Sequence, residues 1–364
     1  MVASLSDLPL RDDLRGLTPY GAPQLDVRVR LNVNENAHPI PEVAARSVVE
    51  ALAGAVLGAN RYPDREFTEL RQALARYAGH GTVPEQIWAA NGSNEVLQHL
   101  LQAFGGPGRT ALGFDPTYSM HPIITASTGT TWVSGERDAG YELSPGTVTE
   151  WIERTDPDVV FLCSPNNPTG TPVSNETIEA AYAATRGVLI VDEAYIEFAP
   201  EGTRTALALL PGRERLVVSR TMSKAFAFAG VRLGYLLADP AVIDAMRLVR
   251  LPYHLSALTQ AAATAALAHA DALLANVDDI RRQRDRLLTE LPELGYTVWP
   301  SHTNFVLFGG VADPRQTFQR LLERSVLIRD VGIAHHLRVT AGTEAETTEF
   351  LTALAETDTA TKVD

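Results

Sequence analysis

From about residue 86 to residue 238 the chain alternates short apolar runs with longer stretches whose apolar positions recur at helical spacing. The apolar runs fall at 110–114, 131–133, 159–163, 188–192, 216–219 and 233–237. This rhythm predicts an α/β unit built on a largely parallel sheet. Ligands of such sheets collect beyond the C-terminal ends of the strands. Asp192 and Ser219 fall at two of those ends.

An Ala- and Leu-rich stretch over 258–291 has few breakers and predicts one extended helix leaving this unit. Beyond it, strand-like runs at 303–308, 326–329 and 337–340 and helical runs at 316–324 and 344–355 predict a smaller α+β layer. Residues 1–40, rich in Pro and Asn, read as an arm that packs against something else. The expected organisation is an arm over 1–40, a large domain over 41–265 and a small C-terminal domain over 266–364.

Composition narrows the function. With 364 residues and 45% hydrophobic content the chain can bury a large core. Residues 1–15 carry Asp7, Asp12 and Asp13 with no apolar signal core, and no stretch approaches the roughly 18 apolar residues of a membrane span. A cytoplasmic protein with no membrane partner is expected. The net charge of −13 disfavours nucleic acid, leaving small anions as ligands for local arginine clusters. Cys163, the single cysteine, ends an apolar run and reads as a small buried hydrophobe. No metal is expected, since the histidines lack ligand spacing and the adjacent His335 and His336 would point to opposite faces of a strand.

The choice of basic residue is more informative. The 31 basic side chains are two lysines and twenty-nine arginines, and Lys362 lies in the polar C-terminal tail. Chemistry that needs a neutral amine inside the folded body therefore falls to Lys224, because arginine does not deprotonate in proteins. Lys224 follows an apolar stretch at 216–218 and sits near Thr221, Ser223 and Arg232. Upstream, Gly92-Ser93-Asn94-Glu95 precedes an amphipathic run at 96–104, which sets free N–H groups and the positive end of a helix dipole beside a loop. That arrangement suits phosphate.

Asp192 ends an apolar strand, where a helix cap, an arginine or a pyridinium nitrogen would each serve as its partner. Tyr195 and Asn167 can donate to a phenolate oxygen, and Tyr118 can stack on an aromatic face. A reactive amine, a phosphate cradle and an acidic partner for a ring nitrogen are together the requirements of pyridoxal phosphate.

The segment Ser164-Pro165-Asn166-Asn167-Pro168-Thr169-Gly170, then Asp192-Glu193-Ala194-Tyr195, then Ser223-Lys224 with Arg232 resembles the fold-type I aminotransferases in order and spacing. Within that group, Leu31 to Asn36, Arg61-Tyr62-Pro63-Asp64, Arg232-Leu233-Gly234-Tyr235, Leu251 to Ser256 and Leu337-Arg338-Val339-Thr340 resemble the histidinol-phosphate aminotransferase family nearly end to end. Two positions depart from its pattern: Ala37 stands where proline is usual, and Val231 where glycine or leucine is common. The resemblance implies a large domain with a mostly parallel seven-stranded sheet flanked by helices, a smaller α+β domain, and pyridoxal 5'-phosphate as cofactor. It also implies a ping-pong transfer of the amino group of L-histidinol phosphate to 2-oxoglutarate, giving imidazole-acetol phosphate and L-glutamate in histidine biosynthesis. An aromatic-amino-acid aminotransferase is the alternative, since it shares the core and differs in the side-chain pocket.

By the same resemblance, Lys224 is the Schiff-base lysine and proton shuttle, Asp192 keeps the ring nitrogen protonated, and Tyr195 completes the catalytic set. Gly92, Ser93, Asn94, Thr221, Ser223 and Arg232 hold the cofactor phosphate, and Tyr118 and Asn167 contact the ring. Tyr62 reaches in from the second subunit of a homodimer. Arg338 receives the carboxylate of glutamate or the phosphate of histidinol phosphate, Arg329 adds charge, and Tyr20, Asn36 and Tyr253 complete the substrate pocket.

Overall fold

The structure is a computed structural model that describes residues 4–16, 19 and 21–357. Tyr20 and Lys362 lie outside the described residues. A two-residue strand, β1 (Val29–Arg30), precedes the helices Glu42–Leu57 and Thr68–Ala78. Then β2 (Ile87–Ala90), β3 (Thr110–Asp115), β4 (Thr131–Glu136), β5 (Val159–Cys163), β6 (Val188–Asp192), β7 (Leu216–Thr221) and β8 (Gly234–Ala238) form one sheet in the order β2-β8-β7-β6-β5-β3-β4. Only β8 runs against its neighbours, β2 and β7. The other pairings are parallel.

β5, β6 and β7 are buried along their whole length, as continuous Val, Ile and Leu runs between layers of helix require. Helices between them start where sequence chemistry dictates. Ser144 and Ser174 accept hydrogen bonds from the backbone N–H of Thr147 and Thr177, capping Pro145–Thr155 and Asn175–Ala184. β2 is a short apolar run, Ile-Trp-Ala-Ala, buried throughout, but half of it is alanine, a weak strand former.

The extended helix expected over 258–291 is instead three: Ala257–Leu267, Ala270–Leu274 and Val277–Glu293. Breaks fall at His269, whose φ of −120° leaves the helical region, and at Asn276. Both are poor helix formers, and the resulting changes of direction bury Leu273 and Val277.

The remaining strands are β9 (Thr297–Val298), β10 (Phe305–Gly309), β11 (Val326–Leu327) and β12 (His336–Thr340). β12-β10-β9 make an antiparallel sheet, while β11 pairs in parallel with β1. Within the expected arm over 1–40, residues 29–31 hydrogen-bond along β11. Asn304 also donates to the backbone carbonyls of Asn34 (3.1 Å) and Glu35 (3.3 Å).

The register between β6 and β7 sorts two pairs of polar residues. Asp192 lies opposite Ser219, and the next residues, Glu193 and Arg220, point to the other side of the sheet. There Glu193 accepts from Arg220 Nη2 (2.8 Å) and Nε (3.1 Å), from the Thr205 hydroxyl (2.6 Å) and from the Ala206 N–H (2.6 Å). The pair is buried and the carboxylate accepts four hydrogen bonds, the kind of satisfaction under which a buried ion pair is tolerated. Among the described residues no helix is long and apolar enough to cross a membrane, and no cluster of metal-ligating side chains occurs.

Candidate active site

β3, β5, β6 and β7 end on one side of the sheet, and the loops beyond them enclose a cavity of about 350 Å³. Lys224 stands three residues past the end of β7 with Nζ donating to the Val33 carbonyl at 3.0 Å. Burial, reinforced by the charge of Arg338 and then of Arg232, lowers its amine from the ordinary 10.5 to about 8.

At one end of the cavity the helix Ser93–Phe104 opens toward Arg232. Gly92 caps that helix with φ 86°, and a Cβ there would collide with the Arg232 guanidinium. Gly234 lets β8 begin directly against the backbone of Gly92 and Ser93, where no side chain fits. Arg232, itself in the left-handed region at φ 61°, donates to the Ser223 hydroxyl at 3.3 Å, and Thr221 donates to the same hydroxyl at 3.0 Å. A helix N-terminus, a guanidinium and two hydroxyls thus converge on one spot, which is a phosphate-sized anion site.

Asp192 lies deeper, 2% exposed. Its Oδ1 accepts from the Ser219 hydroxyl at 2.9 Å and its Oδ2 faces His121 Nε2 at 3.1 Å. His121 is fully buried, stacked on Phe161 at 4.8 Å and edge-on to Tyr118 at 5.4 Å. Its Nδ1 has no hydrogen-bond partner. The tautomer with hydrogen on Nε2 satisfies the carboxylate, whereas a charged imidazole would bury an unpaired Nδ1–H. Among the described residues no Arg or Lys pairs with Asp192. The carboxylate is therefore held by two neutral donors and its charge is left for a cation in the cavity.

The opposite wall carries Tyr195, Asn167 and Arg338. The Tyr195 oxygen accepts from Asn34 Nδ2 at 2.9 Å and lies 3.5 Å from Asn167 Nδ2, and burial pushes the phenol well above its ordinary range. Arg338 donates to Asn167 Oδ1 at 2.6 Å and to the Asn32 carbonyl at 2.9 Å. Arg329 and Arg338 exchange backbone hydrogen bonds directly across from one another, so their side chains project from the same face. Tyr118 donates to Asn94 Oδ1 at 3.3 Å and spans the cavity between the anion site and His121. Cys163 also borders it, but burial and the nearby Asp192 charge push its thiol up to about 12, which makes it inert.

Ser93, Asn94, Tyr118, Asn167, Asp192, Tyr195, Thr221, Ser223, Lys224, Arg232, Arg329 and Arg338 thus share one cavity, with Gly92 behind Arg232. Two residues expected of this chain's own pocket, Asn36 and Tyr253, do not line it, and Tyr62, expected from a second subunit, lies on the surface. Asn36 is committed to the Ala225 carbonyl (3.0 Å) and the His38 N–H (2.9 Å), so it braces the Lys224 loop from outside. Tyr253 and Tyr62 stack on each other at 4.4 Å on the surface, Tyr62 being 80% exposed. Tyr20 lies outside the described residues. Sequence reasoning assigned nothing to His121, Asn34 or Thr340, and noted Ser219 only as a strand end. For Asn34 the signal was its place between two other asparagines; for His121 there was none beyond a histidine in an apolar helix.

The donor set fits pyridoxal phosphate: an anion cradle at one end, a neutral-prone amine beside it, and an uncompensated buried carboxylate for a ring nitrogen. Residues 27–354 match the family model for aminotransferases of class I and II, and the chain belongs to that family. It is 61% identical over 353 residues to the histidinol-phosphate aminotransferase of Paenarthrobacter aurescens, covering 96% of this chain and 95% of that one. The enzyme of the same name from Thermobifida fusca is 56% identical, with 96% of each chain covered. Within the family the chain thus falls in the histidinol-phosphate aminotransferase group.

Solved structures agree. The histidinol-phosphate aminotransferase of Sinorhizobium meliloti in complex with pyridoxal-5'-phosphate superposes with a TM-score of 0.87 at 26% identity, covering 97% of this chain and 99% of that one. A tetra mutant of Thermus thermophilus aspartate aminotransferase gives 0.81 at 26% identity, covering 96% and 99%.

Proposed function

We propose that this chain transfers the amino group of L-histidinol phosphate to 2-oxoglutarate, with Lys224, Asp192 and Tyr195 as the reacting set. The observation that carries the assignment of roles is the pairing, in one cavity, of an amine lowered to about 8 with a buried carboxylate that no protein cation neutralises. At pH 7 an amine of that pKa is neutral in about one molecule in ten, against fewer than one in a thousand for an ordinary lysine.

Pyridoxal phosphate, when bound, supplies a carbonyl for amines and a ring that draws electrons from the carbon beside the bound nitrogen. Lys224 would hold the cofactor through Nζ, and its amine, lowered to about 8, would hold and return a proton at that same nitrogen. Asp192, supported by Ser219 and His121, keeps a proton on the ring nitrogen by presenting an ionised carboxylate. Tyr195 and Asn167 orient the ring through its oxygen substituent, and Tyr118 covers its face. Gly92, Ser93, Asn94, Thr221, Ser223 and Arg232 hold its phosphate.

Arg338 binds the substrate anion, and Arg329 beside it favours a dianion over a single carboxylate. That second arginine is the feature supporting a phosphorylated substrate over a plain aromatic amino acid. The working unit in this reading is a homodimer. Val49, Val56, Leu57, Tyr62, Leu248 and Leu251 are exposed apolar side chains on segments joined by the Tyr62–Tyr253 stack, the kind of surface a second copy would cover. Tyr62 then meets the partner's cavity.

The test is single-turnover absorbance of the pyridoxal phosphate-loaded protein mixed with histidinol phosphate or with phenylalanine. Conversion of the cofactor band at far lower concentration of histidinol phosphate is expected. Preference for phenylalanine would instead assign the chain to aromatic amino acids.

A further inference from the structure

Tyr195 is held by a polar relay that no step above has used. Asn34 is 2% exposed and adopts φ 57°, a left-handed conformation that asparagine tolerates better than most residues. Its backbone N–H donates to Thr340 Oγ1 at 3.1 Å, and Thr340 Oγ1 donates back to Asn34 Oδ1 at 3.1 Å. The first bond takes a lone pair of the hydroxyl and leaves its hydrogen for the amide oxygen. The amide can then satisfy all its neighbours in one orientation only, with Oδ1 on Thr340 and Nδ2 on the Tyr195 oxygen at 2.9 Å. Asn167 Nδ2 approaches that oxygen from a second direction at 3.5 Å.

A phenol oxygen that faces two N–H donors cannot also turn its own hydrogen toward either. Among the described residues no acceptor meets that hydrogen, and Tyr195 borders the cavity together with Asn34 and Asn167. We infer that Asn34, fixed in one orientation by Thr340, is a positioning residue that aims the Tyr195 hydroxyl hydrogen into the cavity as a committed donor. The inference rests on the cofactor reading above and goes beyond it in assigning Asn34 and Thr340. It also ties the donor to the substrate arginine, since Thr340 and Arg338 alternate along β12 with Val339 between them.

A hydrogen bond donated to an oxygen on the cofactor ring withdraws charge from it, so a less well aimed donor moves the pH midpoint of the bound cofactor's visible absorbance upward. Thr340→Val keeps shape but frees the amide to turn, and Asn34→Gly keeps the backbone conformation while removing the amide. In the holoenzyme each is expected to raise the midpoint by about half a unit to one unit, the worth of one neutral hydrogen bond. Thr340→Ser restores the wild-type midpoint, and in a Tyr195→Phe background neither variant moves it further. An unchanged midpoint in both variants, or the same rise in the Tyr195→Phe background, overturns the inference. A wild-type protein with no pH-dependent visible band would overturn the cofactor reading itself, a distinguishable result.

Discussion

Replacing His121 with phenylalanine separates the stability of the site from its chemistry. The ring that stacks on Phe161 at 4.8 Å is kept, so the change removes two nitrogens from a fully buried position and little else. Loss of the Nε2 contact deprives Asp192 of one of two donors, and a hydrogen bond to a charged group is worth about 1.5–3 kcal/mol. Loss of Nδ1 removes a buried polar atom that has no partner, which returns about 1–3 kcal/mol. The two nearly cancel in folding, so denaturant unfolding of His121→Phe should stay within about 1 kcal/mol of wild type.

They do not cancel at Asp192. With one donor gone the carboxylate is held by Ser219 alone and is less firmly aimed at a ring nitrogen in the cavity. At about 1.4 kcal/mol per decade, kcat/KM for histidinol phosphate should fall about tenfold to a hundredfold. His121→Asn, which offers a donor but no stacking ring, should recover part of the activity and lose stability. If His121→Phe unfolds far more easily while its kcat/KM is unchanged, the histidine is a packing residue and the argument fails.

Two other outcomes follow from the same geometry. Lys224 has a folded pKa of about 8 against 10.5 in the unfolded chain, so below pH 8 both states are protonated and the native state bears the desolvation cost. Between about 8 and 10.5 only the unfolded chain holds the proton, so the cofactor-free protein should gain stability as pH rises through that window. Urea unfolding across it should show a slope that Lys224→Met lacks; equal slopes would refute the buried-amine assignment. Gly92→Ala adds a Cβ in a backbone region that costs non-glycine residues about 1–3 kcal/mol and pushes against Arg232. Cofactor affinity, read by fluorescence titration, should weaken about fivefold to a hundredfold, and an unchanged affinity would mean that Arg232 does not hold the phosphate.

The parts of this protein readable in sequence are those whose chemistry is local. Lys224 stood out because almost no other amine competes with it, and Asp192 because a carboxylate ends an apolar run. Strand positions, β11 among them, followed from continuous apolar runs, whereas the pairing of β11 with β1, nearly 300 positions away in sequence, is invisible to any window. The break at His269 was hidden because neighbouring alanines favour helix whether or not packing bends it. Ser219 and His121 gain their roles only through contacts made 27 and 71 positions away along the chain, so no motif announces them. Asn34 needs Thr340, 306 residues distant. Tyr253 lies stacked on Tyr62 at the surface rather than in this chain's cavity, a placement that its neighbours in sequence do not reveal.

The alternation at the ends of β6 and β7 has a consequence for how the chain avoids misfolding. Sliding either strand by one residue would bring Glu193 into the cavity side and press Asp192 against the opposite layer, separating Arg220 from its carboxylate and stranding several charges in a dry interior. Two runs of Val, Ile and Leu can pair in almost any register at similar apolar gain. Here the polar quartet makes each wrong register expensive, so the ion pair acts as a proofreading device for assembly of the sheet and delivers Asp192 and Ser219 to the correct side.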